Sequence, residues 1–261
     1  MIRYAALDLD GTLIDDAGRP FNQVVDGLRA LRARSVVCLL VTGRSARSFR
    51  NLRHLDELLE HVDDQVLLSD GNVQLDRDGG RLSFPRVCPL GVLQRLVSEL
   101  GIQLVAEWSG GFHATSARAA LQFSLAYEVP RRQIEPLAVA SANPAELTAI
   151  TVFESRTPVA ELLAGQDCDV TGIRPFGAQV VRPRGTGKAA ALAEHLRRRF
   201  GEPGLDRTLA VGDGAADADM LRACAVGAAT RDAEPAAVEA ATVHLRGDLA
   251  SFLRGFAPER W

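Results

Sequence analysis

Near the N-terminus a short apolar run, Tyr4-Ala5-Ala6-Leu7, gives way directly to Asp8-Leu9-Asp10-Gly11-Thr12-Leu13. The run has the character of a buried strand, and packing does not explain two carboxylates at its end. Side chains alternate along an extended strand, so residues two apart face the same side. Asp8 and Asp10 would then crowd each other unless a cation or a shared proton lies between them. A magnesium site or an acid/base pair is written this way. Gly11 lets the backbone turn sharply and approach a ligand closely, and Thr12 offers a hydroxyl and a backbone N–H to an anion.

Two blander readings share these residues. One is an Asp-Gly turn after a strand; the other is the Asp-x-Asp of glycosyltransferases, which holds a metal and a sugar nucleotide and shares only the two carboxylates. Later segments of the chain discriminate between them. Val36 to Val41 is β-branched and apolar like a buried parallel strand, and it ends on Thr42-Gly43-Arg44 before a helical segment. A hydroxyl at a strand's carboxyl end beside a helix N-terminus suits a phosphate. Downstream, Gly185-Thr186-Gly187-Lys188 opens a helical stretch to Phe200, and Thr208 to Val211 ends on Gly212-Asp213-Gly214-Ala215-Ala216-Asp217. Gly-Asp-Gly alone is a common turn, and Lys188 alone reads as a solvated helix residue. In open α/β sheets, however, the carboxyl ends of strands converge on one crevice, so the ordered set says more than its members.

These four segments resemble the motifs of the haloacid dehalogenase superfamily of phosphotransferases, in the same order. The Val41-Thr42-Gly43-Arg44 form, the long insert before Lys188 and the ending Asp219-Met220-Leu221 are most similar to the Cof-type sugar-phosphate phosphatases with the larger α/β cap. The resemblance implies a Mg²⁺-dependent phosphatase of small phosphorylated metabolites, sugar phosphates foremost. Asp8 would attack phosphorus and form an aspartyl phosphate, and Asp10 would serve as general acid and then base. Mg²⁺ would be held by Asp8, Asp213 and the backbone carbonyl of Asp10. Gly11, Thr12, Thr42, Gly43, Arg44 and Lys188 would surround the phosphoryl group, and Asp217 would orient Lys188 or a metal-bound water. A phosphomutase of the phosphomannomutase type is the runner-up, because it shares the Asp-x-Asp-Gly-Thr start. A module that binds phosphorylated ligands without turnover is the third reading.

Along the chain, strand and helix alternate over the first seventy residues, which predicts a parallel sheet with right-handed crossovers. Val24, Val25, Leu28 and Leu31 recur at helical spacing, with Pro20 as the expected helix start. A hairpin around Asp76-Arg77-Asp78-Gly79-Gly80 breaks the alternation. It resumes after Arg184 with a helix to Phe200, a strand to Val211 and further βα units. The fold class expected is α/β: a doubly wound, Rossmann-like core of residues 1–76 and 183–261, with an inserted α+β cap of the C2B kind over 77–182. Within the cap, Glu107, Trp108, His113, Tyr127, Glu128 and Arg131 carry polar or aromatic tips. A structural or solvated role outweighs a substrate contact for each, and His113 reads as a strand residue.

Of the 261 residues 47% are hydrophobic and 24% charged, with a net charge of −3. That balance is ordinary for a globular protein and makes no electrostatic case for nucleic acid. Arg197-Arg198-Arg199 reads as a solvated helix face. Cys38, Cys88, Cys168 and Cys224 form no Cys-x-x-Cys pair, which favours a reduced, cytoplasmic setting and no zinc site. The first strand begins almost at once, so no secretory leader is expected, and no apolar run approaches the roughly 20 residues that span a bilayer. The expected partner is a small phosphorylated metabolite, bound by a monomer or homodimer.

Three positions depart from the family pattern. Ala216 stands where Asn usually precedes the last motif Asp, Asp70-Gly71 where Asn-Gly follows the third strand, and Arg231-Asp232 where a Gly-Asn pair is usual. Ala216 can neither donate a side-chain hydrogen bond nor brace a metal-bound water. Weaker magnesium binding is expected unless another group, Asp217 or Asp232, has taken over.

Overall fold

The computed structural model describes every residue except 109–110, 128, 140–143, 174–176 and 203. The chain divides into two compact units, one made of Met1–Arg44, Phe49–Ser83 and Gly187–Trp261, the other of Ser45–Ser48 and Phe84–Thr186. The sequence pattern puts the boundaries after residues 76 and 182. The units divide instead after Ser83 and Thr186, because Val73–Asp76 and Arg81–Ser83 form a hairpin on Gln65–Leu68 and stay with the first unit.

The first unit holds a five-stranded, all-parallel sheet in the order Val243–His244, Val226–Ala229, Thr208–Gly212, Tyr4–Leu7, Val37–Leu40. A parallel bridge from Val41 to Leu67 continues it toward Gln65–Leu68. The order places the first strand beside one from the far end of the sequence. Connections leave in opposite directions there, which is where open α/β sheets form their ligand crevice.

Both faces of this sheet are apolar. Tyr4, Ala6, Leu39, Val41 and Ala210 meet Ala191, Leu192 and Leu196 of helix Lys188–Phe200, together with Met220, Leu221, Ala237 and Ala240 of the two helices that follow. Alternate residues turn to the opposite face, where helix Val24–Ala33 packs on helix Leu249–Gly255. A Cβ at Gly27 would stand 3.0 Å from Leu253 Cβ, which shows how near the two helices approach. The first of these helices starts at Val24, later than the expected Pro20, because Pro20 bridges Ile14 and the Phe21 N–H donates to the Leu13 carbonyl. Residues 20 and 21 are thus committed to the turn after the first strand, and Gln23 enters the helix at φ 58.

The second unit is built on a six-stranded sheet in the order Cys168–Ile173, Ala178–Pro183, Leu147–Glu154, Gln103–Trp108, Gly111–Ala114, Ile134–Pro136. Neighbours are antiparallel except at the Ile134–Pro136 edge. Helix Leu90–Val97 covers one face through Val92, Leu93 and Leu96. Helix Ala117–Tyr127 covers the other through Ala119, Ala120 and Phe123. That second helix was not expected from sequence. Trp108 belongs to the apolar core of this unit and stacks on His113 with ring centroids 4.3 Å apart. Arg131 donates to the Ala117 carbonyl at 2.9 Å. Both therefore carry structural contacts, while Glu128 lies outside the described residues. All four cysteines are unpaired and buried. Among the described residues no helix is long and apolar enough to cross a membrane.

Candidate active site

The site is assembled at the carboxyl ends of adjacent strands of the first unit. Asp8 follows Tyr4–Leu7, and its N–H donates to the Val211 carbonyl at 2.9 Å, so the strand pairing itself brings Asp8 beside the segment that carries Asp213. One oxygen from each of Asp8, Asp213 and Asp217 lies within 4.8 Å of the others. Lys188, the first residue of helix Lys188–Phe200, places Nζ 2.5 Å from Asp8 Oδ1 and 2.6 Å from Asp217 Oδ1. Asp8, Lys188 and Asp217 are all buried.

The electrostatics follow from that burial. Loss of solvent pushes the Asp8 carboxyl up to about 7; Lys188 opposes the shift and Asp217 adds to it. Burial alone would lower the Lys188 pKa, but Asp8, Asp217 and Asp70 outweigh it and hold the ammonium above the ordinary lysine range. Desolvation likewise raises Asp213, against the hydrogen bond it accepts from Thr12 Oγ1 at 3.0 Å. Three carboxylates share one lysine, so the group carries more negative than positive charge in a place poor in water. A hard divalent cation would balance that excess, and three carboxylate oxygens are the donor type that magnesium takes. Gly11 makes the room: at φ +72, a Cβ there would stand 2.2 Å from Asp213 Oδ2. The residues present fit a divalent metal.

Asp10 lies apart from this group of three. Its carboxylate is gripped by the Arg44 fork, with Nε 2.8 Å from Oδ2 and Nη2 2.5 Å from Oδ1. Arg44 was expected at the phosphoryl group and in the structure meets the second motif Asp. The Thr42 hydroxyl is buried and accepts from the Arg44 N–H at 3.1 Å. Gly43 follows on the same turn, where a Cβ would come 3.2 Å from Asp70 Oδ1.

Asp217 has a double task. Oδ1 takes Lys188, while Oδ2 accepts from the N–H groups of Asp213 and Gly214, both at 3.0 Å. Of the two candidates to stand in for the missing Asn at 216, Asp232 is excluded by position. Its side chain is 80% exposed and pairs with neighbouring Arg231 at 2.9 Å.

Three acidic residues around the site escaped the sequence reading as participants. Asp70 is buried and acts on the charge of both Lys188 and Asp219. Asp219 accepts from the Ala189 N–H at 3.2 Å, and Glu234 accepts from the Ala215 N–H at 2.7 Å. Asp70 and Asp219 stood in the sequence as a departure and as part of a motif ending. Glu234 carried no signal at all, because the site residue its side chain meets, Ala215, is 19 residues away.

Residues 5–74 match the family model of haloacid dehalogenase-like hydrolases. No curated protein matches the chain in sequence. In fold it is similar to a phosphatase of the haloalkanoate (HAD) enzyme superfamily from Bacteroides thetaiotaomicron, at TM-score 0.77 and 19% identity over 97% of this chain and 94% of that one. A subclass IIB sugar phosphatase of the same superfamily gives TM-score 0.75 and 19% identity, over 98% of this chain and 99% of the other. A haloacid dehalogenase-like hydrolase from B. subtilis gives 0.71 and 19%, over 98% and 100%. Over residues 5–74 the chain matches haloacid dehalogenase-like hydrolases in sequence, and its whole fold is similar to that of phosphatases of that superfamily.

Proposed function

We propose that this protein is a Mg²⁺-dependent phosphatase of small phosphorylated metabolites, sugar phosphates foremost, working through an aspartyl phosphate on Asp8. The observation that carries the reading is the set of buried Asp8, Lys188 and Asp217 beside half-buried Asp213, with Lys188 within 2.6 Å of two carboxylates at the sheet's switch point. The similarity to a sugar phosphatase with nearly full coverage of both chains supports the substrate class.

Phosphoryl transfer needs positioning and neutralisation of charge more than it needs covalent ingenuity. Asp8, Asp213 and the Asp10 carbonyl would hold the metal, which when bound lowers the repulsion between an anionic carboxylate and an anionic ester. An Asp8 oxygen forms the bond to phosphorus as the ester oxygen leaves. Lys188 and the Thr42 hydroxyl face the phosphoryl oxygens, and Asp217 keeps the Lys188 ammonium in place. Asp10 gives its proton to the leaving oxygen and later takes one from the water that hydrolyses the acyl phosphate. Arg44 holds the Asp10 carboxylate through its guanidinium fork. For the acid role the guanidinium has to release Asp10, and a substrate phosphate is an anion that would draw it away.

The test is phosphate release from an aryl phosphate and from a panel of sugar phosphates, with Mg²⁺ and with EDTA. Turnover should require Mg²⁺ and vanish in Asp8→Asn, while Asp10→Asn should cost roughly 10²- to 10⁴-fold. Unchanged rates in EDTA, or an active Asp8→Asn protein, refute the mechanism.

A further inference from the structure

We propose that Glu234 is a positioning residue for the metal-binding carboxylate Asp213, replacing from a distant loop the brace that residue 216 lacks. The inference rests on reading Asp8 and Asp213 as the carboxylates that hold the metal. Three successive amides of the loop, at residues 213, 214 and 215, all donate to carboxylates. The first two go to Asp217 Oδ2 at 3.0 Å each, and the third goes to Glu234 Oε2 at 2.7 Å. Consecutive N–H groups of this kind form a concavity that accepts anions, and here two carboxylates fill it.

Glu234 also holds the loop from its other side. Its own N–H donates to the Asp213 carbonyl at 2.7 Å. Side chain and backbone of one residue thus fix the Asp213 carbonyl and the Ala215 amide, one on each side of Gly214. The orientation of the Asp213 side chain follows from that of its peptide. Without the Glu234 carboxylate the Ala215 end of the loop is released, and Asp213 has to be ordered again each time a cation binds. Both kinds of bond run from N–H to a carboxylate, the stronger class of hydrogen bond, and the one to Glu234 is the shorter, 2.7 Å against 3.0 Å. Ala216 offers no polar group, and Asp232 is engaged with Arg231.

The experiment uses the full chain and Mn²⁺ as the probe, with free Mn²⁺ read by electron paramagnetic resonance so that no turnover is needed. Glu234→Ala should weaken Mn²⁺ binding about tenfold, the lower end of what partners behind a metal ligand contribute. Glu234→Asp, too short to reach the amide from the same backbone, should weaken it as well. Glu234→Gln keeps an oxygen that accepts the Ala215 N–H and should bind close to the wild-type value. Wild-type affinity in the Ala and Asp variants overturns the proposal. Equal weakening in Ala and Gln also overturns it, because the charge and not the hydrogen bond would then matter. Asp213→Asn separates this failure from failure of the metal-site reading: if it too binds Mn²⁺ normally, the site itself has been misassigned.

Discussion

Lys188 sits with its ammonium between Asp8 and Asp217, and all three side chains are withdrawn from water. Such a group gains little net stability over an apolar core, yet losing one partner leaves buried charge uncompensated, at about 3–5 kcal/mol. Lys188→Met should therefore lower the metal-free unfolding free energy by several kcal/mol in urea titrations. Mg²⁺ should restore part of it, since a ligand that binds only the folded state stabilises it. A loss below about 1 kcal/mol would show that the lysine does not set the charge balance. That Asp8, Lys188 and Asp213 come together was legible from sequence, because each ends a strand or opens a helix in a fixed order. The pairing of Arg44 with Asp10 was not, since an arginine two residues after a threonine reads as one more phosphate ligand. Glu234 was illegible for a harder reason: its role exists only once two distant turns are side by side.

Helix Lys188–Phe200 begins at Gly187, which supplies no side-chain cap. Its first amides would be orphaned, but Asp219 Oδ2 accepts from the Ala189 N–H at 3.2 Å, and a Cβ on Gly187 would stand 2.4 Å from that oxygen. A carboxylate borrowed from a neighbouring element thus caps the helix whose first residue is Lys188, and its charge suits the positive end of the dipole. Asp219→Ala should cost about 1 kcal/mol of stability in urea. It should also lower kcat more than it raises KM, because the loosened turn carries the lysine; Asp219→Asn, which still accepts the bond, should recover most of both. Equal loss in the two variants would argue against capping. Other elements show where sequence reading stops. The strands ending at Leu7, Leu40 and Gly212 were plain as apolar runs, whereas Ala117–Tyr127 was missed because Leu121 and Leu125 are exposed on a helix whose buried residues are Ala119, Ala120 and Phe123. Its apolar residues surround the helix and blur the period of 3.6.

At the scale of the molecule, the parallel sheet could be foreseen from alternation alone, and the insert from the hairpin that interrupts it. The hairpin's allegiance to the first unit could not, because that depends on Gln65–Leu68 accepting Val73–Asp76 as an antiparallel neighbour. The core of the first unit also contains a residue with a consequence for the whole fold's tolerance of acid. His195 is buried on helix Lys188–Phe200, beside the Phe200 ring, and its Nε2 has no partner among the described residues. Burial pushes its pKa down from 6.5 to about 4, Arg199 adds to the shift and Asp64 opposes it. Between those two values the unfolded chain takes up a proton that the folded protein refuses. Stability is therefore unaffected above the unfolded value and falls as pH drops through the window from 6.5 toward 4. At up to about 1.36 kcal/mol for each pH unit, the loss from pH 7 to pH 5 is about 2 kcal/mol. His195→Leu keeps an apolar side chain in a helix already lined by Leu192 and Leu196 and removes the proton acceptor. Urea unfolding of both proteins at pH 7 and pH 5 reads the effect as a difference of differences, which cancels the carboxylates common to both. The wild type should lose about 2 kcal/mol more than the variant over that interval; parallel losses would mean that the imidazole takes its proton without unfolding the core.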